Sequence, residues 1–218
     1  MSVKDFVQQR RDDFIAMRRD FHMYPEPAWL EYRSAAKVAE KLIALGYDVA
    51  LGAEVLDLDS RMGLPSEDVM KAAMARAMDE GADPELVEKM GYGKTAIVAT
   101  MKFSDDGPVV AFRADMDSND VIESKASNHI PAKNGFRSRH EKAMHACGHD
   151  THMTMGLGLA EYIATHKNGL KGTIKLIFQP AEEGVRGAKA MVEAGVVDDV
   201  DSVSYTHLRA HETVLDLV

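Results

Sequence analysis

The feature that most constrains the fold is a series of short apolar runs set between helical patterns. Lys94 to Phe103, Pro108 to Ala114 and Gly172 to Gln179 are β-rich runs of strand length, and a helical pattern from about Thr151 to Thr165 lies between the last two. Strands alternating with helices predict an α/β fold, a mixed β-sheet flanked by helices. Upstream, Val3, Phe6, Val7, Phe14, Met17 and Phe21 predict an amphipathic helix from residue 3 to about 23, stopped by Tyr24-Pro25-Glu26-Pro27. A second helix runs from about Glu31 to Leu45, with Gly46 as its stop, and Tyr47 to Leu51 reads as a short strand. Ser66 to Glu80 and Pro84 to about Met90 are helical, so residues 52–93 read as a helical insertion between strands, their methionines filling apolar gaps. The turn residues Ser104-Asp105-Asp106-Gly107 predict a hairpin between the strands on either side. Residues 118–143 read as a long polar loop, and Gly187 to Ala194 as a helix stopped by Gly195.

Composition narrows the function. The formal charge of -9 argues against a nucleic-acid surface. One cysteine in 218 residues leaves no intrachain disulfide framework. No apolar run approaches the roughly 18 residues of a membrane span, and Met1 to Arg11 lacks an apolar signal core. The chain is therefore expected to be cytoplasmic, with neither nucleic acid nor membrane as a partner.

That cysteine sits in Met144-His145-Ala146-Cys147-Gly148-His149-Asp150-Thr151-His152. A thiolate and a neutral imidazole two positions apart on a glycine-bearing turn can face one point, and both suit a borderline-soft divalent ion such as zinc. An isolated Cys-x-His more often ends as a buried thiol and a satisfied core histidine. Here His145, Asp150 and His152 crowd the same turn, a density of titratable groups that apolar cores seldom hold. Asp150 and His152 are expected to support the ligands. Glu182 and Glu183 close the apolar strand through Ile174, Leu176 and Phe178. Neighbouring side chains there diverge, so one carboxylate can bind a metal while the other acts as a base toward a nearby water. A solvated Glu-Glu pair is the bland alternative. Asp115 and Asp117 end another strand on one face and can orient a histidine, bridge metals or cap a turn; Arg113 pairs with a carboxylate. Trp29 and the Tyr24-Pro25-Glu26 turn read as structural, with Glu26 also able to line a cleft.

Together these stretches resemble the M20 family of metal-dependent amidohydrolases and carboxypeptidases, in particular its N-acyl-amino-acid amidohydrolases. The signatures are Arg18-Arg19-Asp20-Phe21-His22, Phe112-Arg113-Ala114-Asp115-Met116-Asp117, Met144 to Asp150, and Phe178-Gln179-Pro180-Ala181-Glu182-Glu183-Gly184. The resemblance implies a zinc-exopeptidase-like catalytic domain with two divalent ions, manganese or zinc. Cys147, His149 and Glu183 match family ligands, Glu182 matches the general base with Asp115 in support, and a further ligand histidine falls at about His207. The implied reaction is hydrolysis of the amide in an N-acyl or N-aroyl amino acid, p-aminobenzoyl-glutamate or a similar N-acyl-glutamate, by a homo- or heterodimer. Ser118-Asn119-Asp120 departs from the family, which more often has Ala-Leu after the Met-Asp pair.

Family members are nearly twice as long and carry a lid and dimerisation domain, so this chain reads as an N-terminal fragment, loosely folded and inactive alone. Val203 to Thr213 resembles translated sequencing-adaptor DNA. Residues 1–202 are then the native part of the catalytic domain, 203–218 a non-native tail, and His207 stands in the ligand position by accident. Two other readings remain open: a non-catalytic metal-binding relative, and a thiol hydrolase with Cys147 as nucleophile and His149 or His152 as base.

Overall fold

Alternation along the central strands divides their side chains between two cores. Ile97 and Ala99 point to one side and Ala96 and Val98 to the other, while Leu176 and Phe178 oppose Ile177 in the same way. A strand buried on both faces needs a layer on each, so the fold has helices on both sides of a sheet. A computed structural model describes residues 1–206 of the chain. The helices are α1 (Val3–Gln9), α2 (Arg11–Met23), α3 (Tyr32–Ala44), α4 (Glu67–Asp79), α5 (Pro84–Lys89), α6 (Ile130–Lys133), α7 (His149–Thr165) and α8 (Gly187–Glu193). The strands are β1 (Asp48–Leu51), β2 (Ile97–Lys102), β3 (Val109–Asp115), β4 (Thr173–Gln179) and β5 (Ser202–Tyr205). They form one mixed sheet in the order β1-β2-β4-β3-β5, which is the expected fold class. One core gathers Phe21, Leu42, Met74, Met153, Leu157 and Phe178 from α2, α3, α4, α7 and the sheet. The opposite core joins Trp29, Val55, Ala190 and Met191 to the other face.

The expected hairpin does not form. β4 lies between β2 and β3, antiparallel to the former and parallel to the latter. The Ser104–Gly107 turn bonds to the entry of β4 instead. Phe103 N–H donates to the Gly172 carbonyl at 2.8 Å, and Gly172 N–H donates to Ser104 Oγ at 3.0 Å. A Cβ on Gly172 would stand 2.2 Å from the Pro108 carbonyl oxygen, so only glycine lets these two corners touch. The controlling unit is β3-α7-β4, in which the helix supplies the crossover that parallel neighbours require.

The predicted N-terminal helix bends at Arg10, which ends α1 and precedes α2. The bend carries Phe6 against Tyr162, with ring centroids 5.3 Å apart, and places Arg10 Nε 2.6 Å from the Glu161 carboxylate. In the 52–93 region α4 and α5 lie on α3, and Met70, Met74 and Met90 are buried there. Gly156 brings α7 onto β4: a Cβ there would meet the Phe178 ring at 2.8 Å. Trp29 is fully buried and its Nε1–H donates to the Met62 carbonyl at 2.8 Å. Glu26 lines no cleft; it is buried and accepts the Arg33 and Ser34 amides at 2.9 and 2.8 Å, capping the start of α3. No helix among the described residues is long and apolar enough to cross a membrane.

Candidate metal centre

β3 and β4 run parallel with Asp115 opposite Gln179, so the chain leaves both strands at the same edge of the sheet. Ligand sites of such sheets lie beyond the carboxyl ends of parallel strands. Met116-Asp117 follows β3, Pro180 to Glu183 follows β4, and α7, which joins them, starts at His149.

The Pro180–Gly187 turn is a strained segment held from outside. Ala181, Gly184 and Val185 have φ of 51°, 82° and 59°, and the left-handed region costs a non-glycine residue about 1–2 kcal/mol. Two buried carboxylates capture three successive amides. Ala181 N–H donates to Glu31 Oε1 at 2.8 Å; Glu182 N–H and Glu183 N–H donate to Asp117 Oδ1 and Oδ2 at 3.0 and 2.9 Å. Glu31 also accepts from the Thr95 hydroxyl at 2.6 Å. Burial, and then the charge of Asp117, push the Glu31 pKa up to about 8. Its native-state pKa exceeds the free value of about 4.3, so its contribution to stability is complete below that pH and is lost as pH rises through about 8. Glu31→Gln keeps the hydrogen-bonding shape without the charge. Urea unfolding between pH 5 and 9 is expected to show a flatter decline in stability for this variant than for wild type; identical slopes would refute the assignment.

Asp117 also fixes His149. The imidazole Nδ1–H donates to the Asp117 carbonyl at 2.8 Å and lies 3.3 Å from its carboxylate. That bond sets the tautomer and leaves Nε2, 3.7 Å from Glu182 Oε2, as the nitrogen open to a cation. Burial works against the imidazolium, but Asp117 and Asp115 outweigh it and raise the pKa to about 9. Burial and then Asp115 raise the Glu182 pKa.

Cys147 is exposed, and Glu183 stands beside it, the main cause of its raised thiol pKa. Asp115 is fully buried: Arg113 Nε and Tyr205 Oη donate to it at 2.9 and 2.8 Å, and His152 Nδ1 lies 3.3 Å away. Burial opposes its ionisation, but His152, Arg113 and Tyr205 hold its pKa below the usual carboxylate range. Asp150 does not support His149 as expected. Its carboxylate accepts from His22 Nδ1 at 2.7 Å and Arg18 Nε at 2.9 Å, while His149 Nδ1 is taken by Asp117. His145 is buried without a hydrogen-bond partner, and burial pushes its pKa down to about 3. His207 lies outside the described residues.

The donor set fits a cation. His149, Glu182 and Glu183 each offer an atom within 4.8 Å of the others, and so do Asp115, His149 and His152. Glu183 Oε1 and both His152 nitrogens are buried without hydrogen-bond partners. Among the described residues, several acidic groups crowd one point there, the environment a divalent ion neutralises. No local pattern marks Glu31 or Asn119 as part of the centre. Their roles depend on contacts with residues 150 and 28 positions away along the chain.

The model of peptidase family M20/M25/M40 matches residues 111–214. The chain is 49% identical over 207 residues to a p-aminobenzoyl-glutamate hydrolase subunit of Escherichia coli K12, covering 95% of this chain and 48% of that protein. It is 47% identical over 206 residues to an indole-3-acetyl-aspartic acid hydrolase of Enterobacter agglomerans, covering 94% and 47%. Its fold matches the crystal structure of an aminobenzoyl-glutamate utilization protein from Klebsiella pneumoniae with a TM-score of 0.81 and 41% identity, over 96% of this chain and 47% of that one. A Bacillus subtilis dinuclear metal binding peptidase of the M20 family matches with a TM-score of 0.67 and 27% identity, over 95% and 45%. The chain thus spans about half the length of the curated relatives it matches.

Proposed function

This chain belongs to peptidase family M20/M25/M40, and from that premise we propose that its protein is a metal-dependent amidohydrolase. The observation that carries the reading is the convergence of His149, Glu182 and Glu183 at the carboxyl edge of the sheet. Cys147, His149 and Glu183 hold the divalent ions, manganese or zinc, with a further histidine at the place of His207. Bound there, the ions supply Lewis-acid chemistry, acidifying water and polarising an amide carbonyl.

The chain's own residues do the rest. Glu182, its carboxylate made more basic by burial and acidic neighbours, takes a proton from water and passes it to the departing amine. Asp117 holds Glu182, Glu183 and His149 in one frame. Asp115, tied to Arg113 and facing His152, keeps negative charge under the centre. Two of the relatives are named for an acidic amino acid in amide linkage to an aromatic acyl group. p-Aminobenzoyl-glutamate or a similar N-acyl-glutamate is therefore the proposed substrate, and the relative named for one subunit of its enzyme supports a dimer. The thiol-hydrolase reading is disfavoured, because Glu183 beside Cys147 opposes thiolate formation.

The test is metal analysis and an amide screen on the complete open reading frame. Chelation should abolish turnover and manganese restore it. Glu182→Gln should lower turnover by about 100- to 10,000-fold, the range for loss of a general base, with metal content unchanged. Turnover indifferent to chelation but lost on alkylation of Cys147 would overturn the proposal.

A further inference from the structure

We infer that Asn119 is a positioning residue for Cys147: its side-chain amide fixes the turn that presents the sulfur and donates an N–H···S hydrogen bond to it. The inference rests on the ligand role proposed for Cys147. Asn119 and Met144 form an isolated antiparallel bridge, the N–H of each donating to the other's carbonyl at 3.0 Å. The Asn119 side chain then reaches the turn itself. Its Oδ1 accepts the Ala146 and Cys147 amides at 3.2 and 3.1 Å. Two backbone donors on that atom identify it as the oxygen, so the group facing Cys147 Sγ at 3.5 Å is the Nδ2 donor.

The turn needs such an anchor. It is exposed at Cys147 and reverses through Gly148 at φ 85° before α7 begins. The segment that carries Asn119 is itself pinned. Downstream in the same loop, the buried Glu123 accepts from His22 Nε2 and His129 Nε2 at 3.0 and 2.8 Å, tying the loop to α2. The Asn119 side chain therefore does two things at once: its oxygen holds the amides of the turn, and its Nδ2 faces the sulfur. A leucine at this position would fill similar space and do none of this.

The experiment loads the protein expressed from the complete open reading frame with cobalt(II) and records the near-ultraviolet thiolate-to-cobalt charge-transfer band, with affinity measured by chelator competition. Wild type should show the band and Cys147→Ser should lose it. Asn119→Asp keeps oxygens for the two amides but removes the donor to sulfur, so the band should move to longer wavelength. Asn119→Leu removes both, and should also weaken cobalt binding by about 10- to 100-fold, the usual cost of losing a ligand's supporting partner. An unchanged band and affinity in both variants, with folding verified by circular dichroism, would overturn the inference. If wild type shows no band and Cys147→Ser binds cobalt equally well, the ligand role of Cys147 fails, a different and separable result. Asn119→Asp, close to isosteric, keeps the test decisive should Asn119→Leu not fold.

Discussion

Gly187→Ala is expected to destabilise the fold by about 3 kcal/mol or more, the upper range for overpacking where rigid backbone must move. A Cβ on Gly187 would lie 1.8 Å from the Pro180 carbonyl oxygen and 2.8 Å from its carbon. No rotamer relieves that contact, because both sides are main chain. Gly187 N–H meanwhile donates to the Ala181 carbonyl at 2.9 Å and Arg186 N–H to the same oxygen at 3.1 Å, so the turn closes on itself where the clash would arise. That turn carries Glu182 and Glu183. The variant should therefore lose metal affinity along with stability, and the two losses should appear together in urea unfolding with and without manganese. Wild-type stability in Gly187→Ala would show that the turn is looser than this packing implies. Gly184 is a contrasting control: a Cβ there meets the Arg186 side chain at 2.9 Å, which can swing away, although its φ of 82° still penalises alanine.

The same turn shows what a sequence can and cannot disclose. The Phe178–Gly184 motif, the Cys-x-His turn and the Asp-x-Asp strand end are all legible, because each is local and its residue types carry their own chemistry. The strands and most helices are legible for the same reason, since period and punctuation are local. The sheet order is not. Ser104 to Gly107 has hairpin chemistry, yet its hydrogen bonds go to Gly172, and the decision lies in a crossover helix that makes β4 the parallel neighbour of β3. The acceptors that hold the Glu182-Glu183 turn are equally invisible. Glu31 sits just ahead of a helix and looks like any charged residue there; only the fold reveals it as fully buried and bonded to Ala181. Asp150 misleads in the opposite way: its adjacency to His149 suggests partnership, whereas the first turn of α7 points it toward His22.

Asp117→Asn is expected to have the widest effect of any single substitution at the centre. The Asp117 carboxylate is fully buried and accepts from two successive amides while facing His149. Asparagine offers one acceptor and turns a donor toward one of those N–H groups. A buried donor left without a partner costs about 1–3 kcal/mol. The glutamate turn then loses its frame, and metal affinity should fall by about 10- to 100-fold, as for other partners that orient ligands. A pH signature separates this from general damage. The His149 pKa is raised to about 9, so without metal its stabilising contribution is complete below the free-imidazole value of about 6.5 and is lost as pH rises through about 9. Protons also compete with metal at that nitrogen until the pH exceeds its pKa. Removing the Asp117 charge lowers that pKa, so the pH at which metal uptake is half complete should move down even as the plateau affinity drops. Isothermal titration with manganese across pH 6 to 9 reads both quantities. A weaker plateau with an unshifted pH midpoint would mean that Asp117 acts on the glutamate turn alone, and an unchanged profile would remove it from the centre altogether.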